Sequence, residues 1–528
     1  MSEAVTLNRI IEAMHDPACY PHAVNPVRHI ETHISHLLLT GQFAYKIKKP
    51  LNLGFLDFST LDKRRFCCEE ELRLNRRLAP DVYLEVVSIN GEPGSPRING
   101  AGPVLEYSVK MRQFDPASGL DQLEEQGQLI PQHADAMAET VADFHARIPS
   151  VPQDSEWGRA EAIWQPVAQN FEQIAARIGN DDEARTLLEA VRQWSETEHT
   201  RLCTDFEHRR LQGFVRECHG DLHLANMAWE SDRLLIFDCI EFNPALRWID
   251  VISEVAFCYM DLLNREHPDF ASRFLNHYLE RTGDYAGMKL LRFYAVYRAM
   301  VRAKVASIRS GQSGQSAVDT TREKQECLDY LRLALKLSRS DAPSLVIAHG
   351  LSGSGKTTFS QELVAQLGMI TLRSDIERKR LAGLDALAKS GSGVESGIYT
   401  RDFSRRTYVY VAQLAESLLQ SGWRVLVDAT FIARWQRDLF RQLASRCSAA
   451  FHILDFNVPE DELRQRVRAR SAAGRDASEA DVAVLENQLK TCEPLTADEL
   501  KFVIPAATVE SAAAQLNATG RNSLGSDG

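Results

Sequence analysis

Two short runs in this chain have residue types and spacings suited to phosphate chemistry. The first is Gly350-Leu351-Ser352-Gly353-Ser354-Gly355-Lys356-Thr357, followed by Thr358, and it matches G-x-x-x-x-G-K-[ST]. Glycines let successive backbone N–H groups converge on phosphate oxygens, and the positive end of a following helix adds to the field. Lys356 has the reach for β- and γ-phosphates, and the Thr357 hydroxyl suits Mg²⁺. The second run is Cys218-His219-Gly220-Asp221-Leu222-His223-Leu224-Ala225-Asn226, with Asp238 closing the next apolar stretch. A carboxylate, an amide and a second carboxylate form the set that orients a hydroxyl and holds two Mg²⁺ ions in phosphoryl transfer. On that reading Asp221 accepts or orients the acceptor's proton, Asn226 and Asp238 ligate Mg²⁺, and His219 braces the loop by hydrogen bonds. A zinc set of His219, Asp221 and His223 competes, but hard oxygen donors and the Asn favour magnesium.

Other charged residues stand at the ends of apolar runs. Asp375 closes the run before IERKR. In an open parallel sheet the carboxyl ends of strands line the ligand crevice, where a carboxylate can take a proton from a substrate hydroxyl. Helix capping by Ser374 or Asp375 is the bland alternative. Asp428 ends RVLVDAT and could hold Mg²⁺ or its water shell, or simply cap. Arg464, Arg468 and Arg470 lie on a helical run before a small-residue break at Arg475. They form either a lid that neutralises transferring phosphate or a solvated basic face.

The elements that must position these residues fall into two kinds. Residues 32–48 read as two strands around Thr40-Gly41, 60–79 as a helix capped by Thr60, and 82–90 and 104–112 as strands. The Gly/Pro-dense stretch between the last two must turn. Helical patterns fill 132–208 and 247–340, with short strands around 213–218 and 233–238. Past Pro343 short apolar strands alternate with helices, the βαβ pattern of a parallel sheet. The boundary falls near residue 340. The expected division is 1–340 (a first lobe of about 25–115, a second of about 116–310 and a bridging helix of about 320–338), 341–507, and a flexible tail over 508–528. The polar stretch SGQSGQS at 310–316 reads as an exposed loop or hinge.

The chain has 528 residues, with 44% apolar and 25% charged, which excludes a mainly disordered or low-complexity protein. A formal charge of −11 disfavours a duplex-wrapping protein, although a local basic groove stays open. Ten scattered cysteines without a C-x-x-C pair fit a reducing compartment. With no signal peptide and no apolar run near ~20 residues, the expectation is a cytoplasmic protein without a membrane partner.

The phosphate loop with Ser374, Asp375, Arg378 and Lys379 and the run Val427–Thr430 resembles the small P-loop kinases, especially polynucleotide kinase domains and the zeta-toxin-like group. That resemblance implies Asp375 as base toward the acceptor hydroxyl, with Arg373 and Arg378 near the acceptor. The spacing from His219 to Asn226 matches the kinase catalytic loop and resembles the aminoglycoside phosphotransferase and choline kinase branch. It implies an upstream Lys–Glu pair. Lys46 in Ala44-Tyr45-Lys46 takes the place of the lysine on ATP, with Lys48 on the same strand face as runner-up. Glu71 is its partner because Leu78 then falls at the family's apolar position, with Glu70 nearly as good. Met111 in EYSVKMRQF is the hinge contact to adenine, and Asp250 anchors the helix after the site to the catalytic loop. No G-x-G-x-x-G precedes Lys46, and the D-F-G position reads Asp238-Cys239-Ile240.

Together the halves resemble bacterial two-domain proteins: an α+β, aminoglycoside-phosphotransferase-like kinase domain, then an α/β P-loop domain with a parallel sheet. The resemblance implies ATP and Mg²⁺ at two sites and transfer to hydroxyl groups of small molecules. The alternatives are a nucleotide-gated regulator with one active half, and phosphorylation of nucleic-acid or nucleotide ends by the C-terminal half.

Overall fold

The structure, a computed structural model, describes residues 3–52, 54, 56–311, 317–386, 388, 396–473 and 480–522. Arg475 and most of the 310–316 loop therefore lie outside the described residues. The chain divides into two compact units: Met1–Ala136, Asp143–Pro166 and Arg201–Cys258 in one, and Met137–Ala142, Val167–Thr200 and Tyr259–Gly528 in the other. Among the described residues no helix is long and apolar enough to cross a membrane.

The first unit is built on a six-stranded antiparallel sheet in the order Arg28–Glu31, Ser35–Leu39, Phe43–Lys48, Val104–Arg112, Tyr83–Glu92, Ser95–Ile98. The turn at Thr40-Gly41 closes Ser35–Leu39 onto Phe43–Lys48, with Gly41 at φ +94°. The Gly/Pro-rich stretch does more than turn: Ser95–Ile98 forms a strand, with Pro96 and Ile98 facing inward. Proline is tolerated there because the strand is at the sheet edge.

Helix Leu61–Asn75 starts at Thr60, whose side chain accepts from Lys63 N. Its buried residues are Arg64, Cys67, Cys68, Glu71, Leu74 and Asn75, a single face at helical spacing that is half polar. The loop from Cys218 to Asn226 is held between two small strand pairs. Val215–Glu217 pairs with Trp248–Asp250, and Met227–Glu230 forms a hairpin with Arg233–Ile236. The first strand of that hairpin was not anticipated.

The second unit carries a five-stranded parallel sheet in the order Ile370–Arg373, Val425–Asp428, Ser344–His349, Ala450–Asp455, Val503–Pro505. Its central strand is buried on both faces, which is why it reads as a continuous apolar run. Val503–Pro505, only three residues long, left no periodic signal. Residues Val509–Asn522 form a helix where a flexible tail was expected from 508. Ala512, Ala513 and Leu516 are buried in one apolar cluster with Val346, Leu363 and Leu454, and this tertiary packing of one face holds the helix. Helices Pro268–Thr282, Met288–Arg309 and Ala317–Leu337 belong to this unit as well.

Candidate functional site

In the first unit, Lys46 and Lys48 project from the same face of their strand, as the two-residue period requires. Between them stands Glu71, fully buried, with Oε1 2.9 Å from Lys46 Nζ and Oε2 2.6 Å from Lys48 Nζ. Lys46 also meets the carboxylate of Asp238, and Lys48 that of Glu241. Lys48 is 1% exposed and Lys46 15%, so Lys46 is the lysine on the open side. Glu70 lies off this face and pairs with Arg73 and Arg247. Burial opposes the Lys46 charge, but the carboxylates of Asp238 and Glu71 more than reverse it, so its pKa lies well above the ordinary range. Burial likewise opposes the Glu71 charge, and the two lysines hold its pKa below the usual carboxylate range.

The loop from His219 is braced from behind. Both His219 N and Gly220 N donate to Glu254 Oε1 at 2.7 Å, and Glu254 Oε2 meets His145 Nε2 at 2.8 Å. His219 is fully buried, and burial pushes its pKa down. Its Nε2 lies 2.9 Å from the Phe237 carbonyl, and Nδ1 accepts from Asp221 N at 3.3 Å. A neutral ring with its proton on Nε2 satisfies both contacts, so neither nitrogen is left for zinc.

Asn226 Nδ2 donates to Asp221 O at 2.9 Å and to Asp221 Oδ2 at 3.1 Å, which leaves the amide oxygen for a cation. His223 Nε2 stands 3.3 Å from the same Asp221 oxygen. Asp238 has φ +65°, and its N–H donates to the Tyr83 hydroxyl at 3.1 Å. Met111 is buried among Ala44, Tyr83, Val109 and Leu235 at the end of the central strand. Asp250 does not hold the loop. It forms a two-pronged pair with Arg209, at 2.7 and 2.8 Å, and the anchoring carboxylate is Glu254, four residues on.

In the second unit the phosphate loop follows strand Ser344–His349 and opens helix Lys356–Leu367. Gly353 has φ +86°, and a Cβ there would lie 2.9 Å from Val467. Gly355, at φ +87°, precedes the helix directly. Lys356 Nζ donates to the carbonyls of Gly350 and Leu351, each at 2.8 Å. The Thr357 hydroxyl donates to Asp428 Oδ2 at 2.7 Å. Asp428 has a raised pKa because burial outweighs Arg373 and Lys356. A hydroxyl beside a buried, under-compensated carboxylate is an oxygen donor set that fits Mg²⁺, as do Asp221, Asn226 and Asp238 in the first unit.

A cavity of about 540 Å³ brings Ser352, Ser354 and Thr358 of the loop together with Arg373, Asp375, Arg378 and Asp428. No side chain caps helix Ser374–Leu381, so Asp375 is not employed as its cap. Arg378 packs over Tyr399 and donates from Nη1 to Ile398 O and Ser404 Oγ.

The arginine run divides differently from expectation. Arg464 is taken up by Glu460, Asp461 and Glu486, and Arg468 is exposed. The side chain of Arg470 lies outside the described residues. Arg466, which the sequence does not single out, pairs with Glu462 and also lines the cavity, with Nη1 3.4 Å from where a Gly355 Cβ would stand. Gln488 was also missed; its Oε1 accepts from Ser352 N at 2.9 Å.

Residues 96–291 match the family described as phosphotransferase enzyme, and residues 345–495 match one described as AAA domain. The two matches fall on different parts of the chain, and neither spans half of it. The chain is an ATP-dependent phosphotransferase with a kinase-like antiparallel domain and a P-loop domain on a parallel sheet. An uncharacterized protein from Mycobacterium tuberculosis is 28% identical to this phosphotransferase over 477 residues, 89% of this chain and 92% of the relative. An uncharacterized protein of Mycobacterium bovis matches to the same extent.

Among solved structures, an amicoumacin kinase covers 62% of the phosphotransferase with 96% of its own chain, at 12% identity and TM-score 0.39. A choline/ethanolamine kinase family protein from Mesorhizobium loti covers 63% with 99% of its chain, at 10% identity and TM-score 0.36. A gluconokinase from Sinorhizobium meliloti covers 36% with its whole chain, at 20% identity and TM-score 0.26.

Proposed function

We propose that both halves transfer phosphate from ATP·Mg²⁺ to hydroxyl groups of small molecules, one site centred on Asp221 and the other on Lys356 and Asp375. The kinase-type site is assigned to residues up to about 340 and the P-loop site to 341–507, with the segment Tyr259–Leu337 packed in the same compact unit as the parallel sheet. The observation that carries the reading is Lys46 joined at once to Glu71 and Asp238. This draws the nucleotide-contacting lysine, its positioning carboxylate and a metal-binding carboxylate from three distant parts of the chain to one point.

Asn226 and Asp238 in the first site, and Thr357 and Asp428 in the second, would hold Mg²⁺, which would supply neutralisation of phosphate charge. In the first site Asp221, held by the Asn226 amide, takes the acceptor's hydroxyl proton. Lys46 contacts the α- and β-phosphates, and the apolar wall around Met111 receives the adenine. In the second site the phosphate-loop amides and Lys356 hold the triphosphate, Thr357 and Asp428 take the cation, and Asp375 receives the acceptor proton.

The test uses the full chain with a mixed pool of hydroxyl-bearing metabolites and labelled ATP. Asp221→Ala and Lys356→Ala should each remove a different set of labelled products. If neither changes ATP turnover or product pattern, the tandem reading is wrong. If one alone matters, a single active half with a regulatory partner replaces it.

A further inference from the structure

Helix Pro268–Thr282 lies within the stretch matched to the phosphotransferase family, yet it packs in the same compact unit as the parallel sheet. Ser272, Asn276 and Glu280 follow one another at four-residue intervals, so they share one helix face. All three meet the phosphate-loop domain. Ser272 Oγ donates to the Val364 carbonyl at 3.1 Å, in the helix that leads away from the phosphate loop. Strand Ile370–Arg373 is an outer strand of the sheet. Asn276 covers its open edge, accepting from Thr371 N at 2.7 Å and donating to Met369 O at 3.0 Å.

Glu280 ends the row, 3.6 Å from Arg373 Nη1. Arg373 in turn stands 3.9 Å from Asp428 Oδ2, the oxygen that accepts from Thr357. Arg380 pins the helix end, donating to the Glu280 carbonyl at 2.5 Å and to Glu377 at 3.0 Å. Two carboxylates from different segments therefore share one guanidinium, and only one of them is the proposed metal ligand. An arginine that settled fully on Asp428 would compete with the cation for its charge.

We propose that Glu280 is a positioning residue of the phosphate-loop site. It holds Arg373 away from Asp428, so that the carboxylate stays available to Mg²⁺ and the guanidinium faces the cavity. This rests on the reading of Thr357 and Asp428 as the cation site.

The experiment uses the full chain carrying Lys46→Ala, which removes nucleotide from the first site, and a fluorescent ATP analogue titrated with Mg²⁺. Glu280→Gln should raise the half-saturating Mg²⁺ concentration by about five- to tenfold, the effect expected of an added cation at a metal-binding carboxylate. Analogue affinity at saturating Mg²⁺ should stay within about twofold, and the melting temperature should not move. In an Arg373→Gln background Glu280→Gln should shift nothing further, because no guanidinium remains to restrain. An unchanged Mg²⁺ midpoint, or the same shift with and without Arg373, would overturn the proposal. Should Glu280→Gln fold poorly, Glu280→Asp decides by the same titration: a raised midpoint in a folded protein supports it, an unmoved one refutes it. Lys356→Ala tests the site itself. If the analogue still binds that variant as before, the site reading fails independently of Glu280.

Discussion

Lys48 grips the far oxygen of Glu71, its Nζ 2.6 Å from Oε2, while Lys46 holds the near one. The two lysines share a strand face and a partner but have different surroundings. Lys48 sits between Glu71 and Glu241, both 5% exposed or less, and removing it strands the buried Glu241 carboxylate and leaves Glu71 with Lys46 alone. Lys48→Met should therefore cost about 3–5 kcal/mol of stability in denaturant titration, the range for breaking a buried ion pair. Lys46→Met should cost far less stability and should lower first-site turnover by about a hundredfold or more, because charge aimed at phosphate is lost. The reverse pattern would make Lys48 the nucleotide contact.

Acid should loosen the first unit through the bracing behind its loop. His219 has its pKa pushed down by burial, and Glu254 is held down by His145, His219 and the loop amides although burial opposes this. A group whose folded pKa is depressed stabilises fully above its unfolded pKa and loses that contribution as pH falls through the folded one. The losses should begin below about pH 6.5 for His219 and below about pH 4.3 for Glu254. His219→Asn should flatten the first step in denaturant midpoints taken between pH 7 and 5.5. Glu254→Gln should flatten the second. Unchanged slopes would remove these residues from the acid response.

Asp428 has the opposite sign. Its raised pKa means its contribution is fully present below the ordinary aspartate range and is lost as pH rises through the folded value. At neutral pH, Asp428→Asn should hold or raise the melting temperature of the protein without nucleotide. In the presence of Mg²⁺ the same change should weaken nucleotide binding to the phosphate loop by about tenfold or more, as expected for loss of a metal-ligating carboxylate. Calorimetry with and without Mg²⁺ separates the two effects.

Two arginines on one helix make opposite predictions. Arg466→Ala should reduce phosphate-loop turnover by about ten- to a hundredfold at saturating ATP, since the cation beside Gly355 can neutralise developing charge. Arg464→Ala removes only contacts to Glu460, Asp461 and Glu486 and should leave turnover within about twofold, the scale of a surface ion pair. Steady-state kinetics of both variants in an Asp221→Ala chain tests the pair.

Local chemistry was legible in the sequence because it is written in consecutive residues. The phosphate loop and the segment from His219 to Asn226 carry their geometry in their own spacing. Glu71 was separable from Glu70 only weakly, because its helix buries Arg64, Glu71 and Asn75 on one face, and a hydropathy pattern does not register a polar buried stripe. Glu254 was hidden for a related reason: in VISEVAF it sits among apolar residues, and nothing in the run shows that two loop amides point at it. Arg466 is not separable in the sequence from Arg464, Arg468 and Arg470, which are the same residue type, and only the helix phase distinguishes them. Glu280 is remote from Arg373 along the chain, and such pairings become visible only once helix and sheet are packed together.

The row formed by Ser272, Asn276 and Glu280 also bears on how this protein can be taken apart. The sequence invites a cut near residue 340, but the outer strand Ile370–Arg373 would then lose the carboxamide that satisfies its Thr371 N–H and Met369 carbonyl. A fragment starting at 341 would present a bare strand edge, which templates pairing with further copies of itself. Its aggregation would then reflect where the chain was cut, because the natural unit reaches back at least to Pro268.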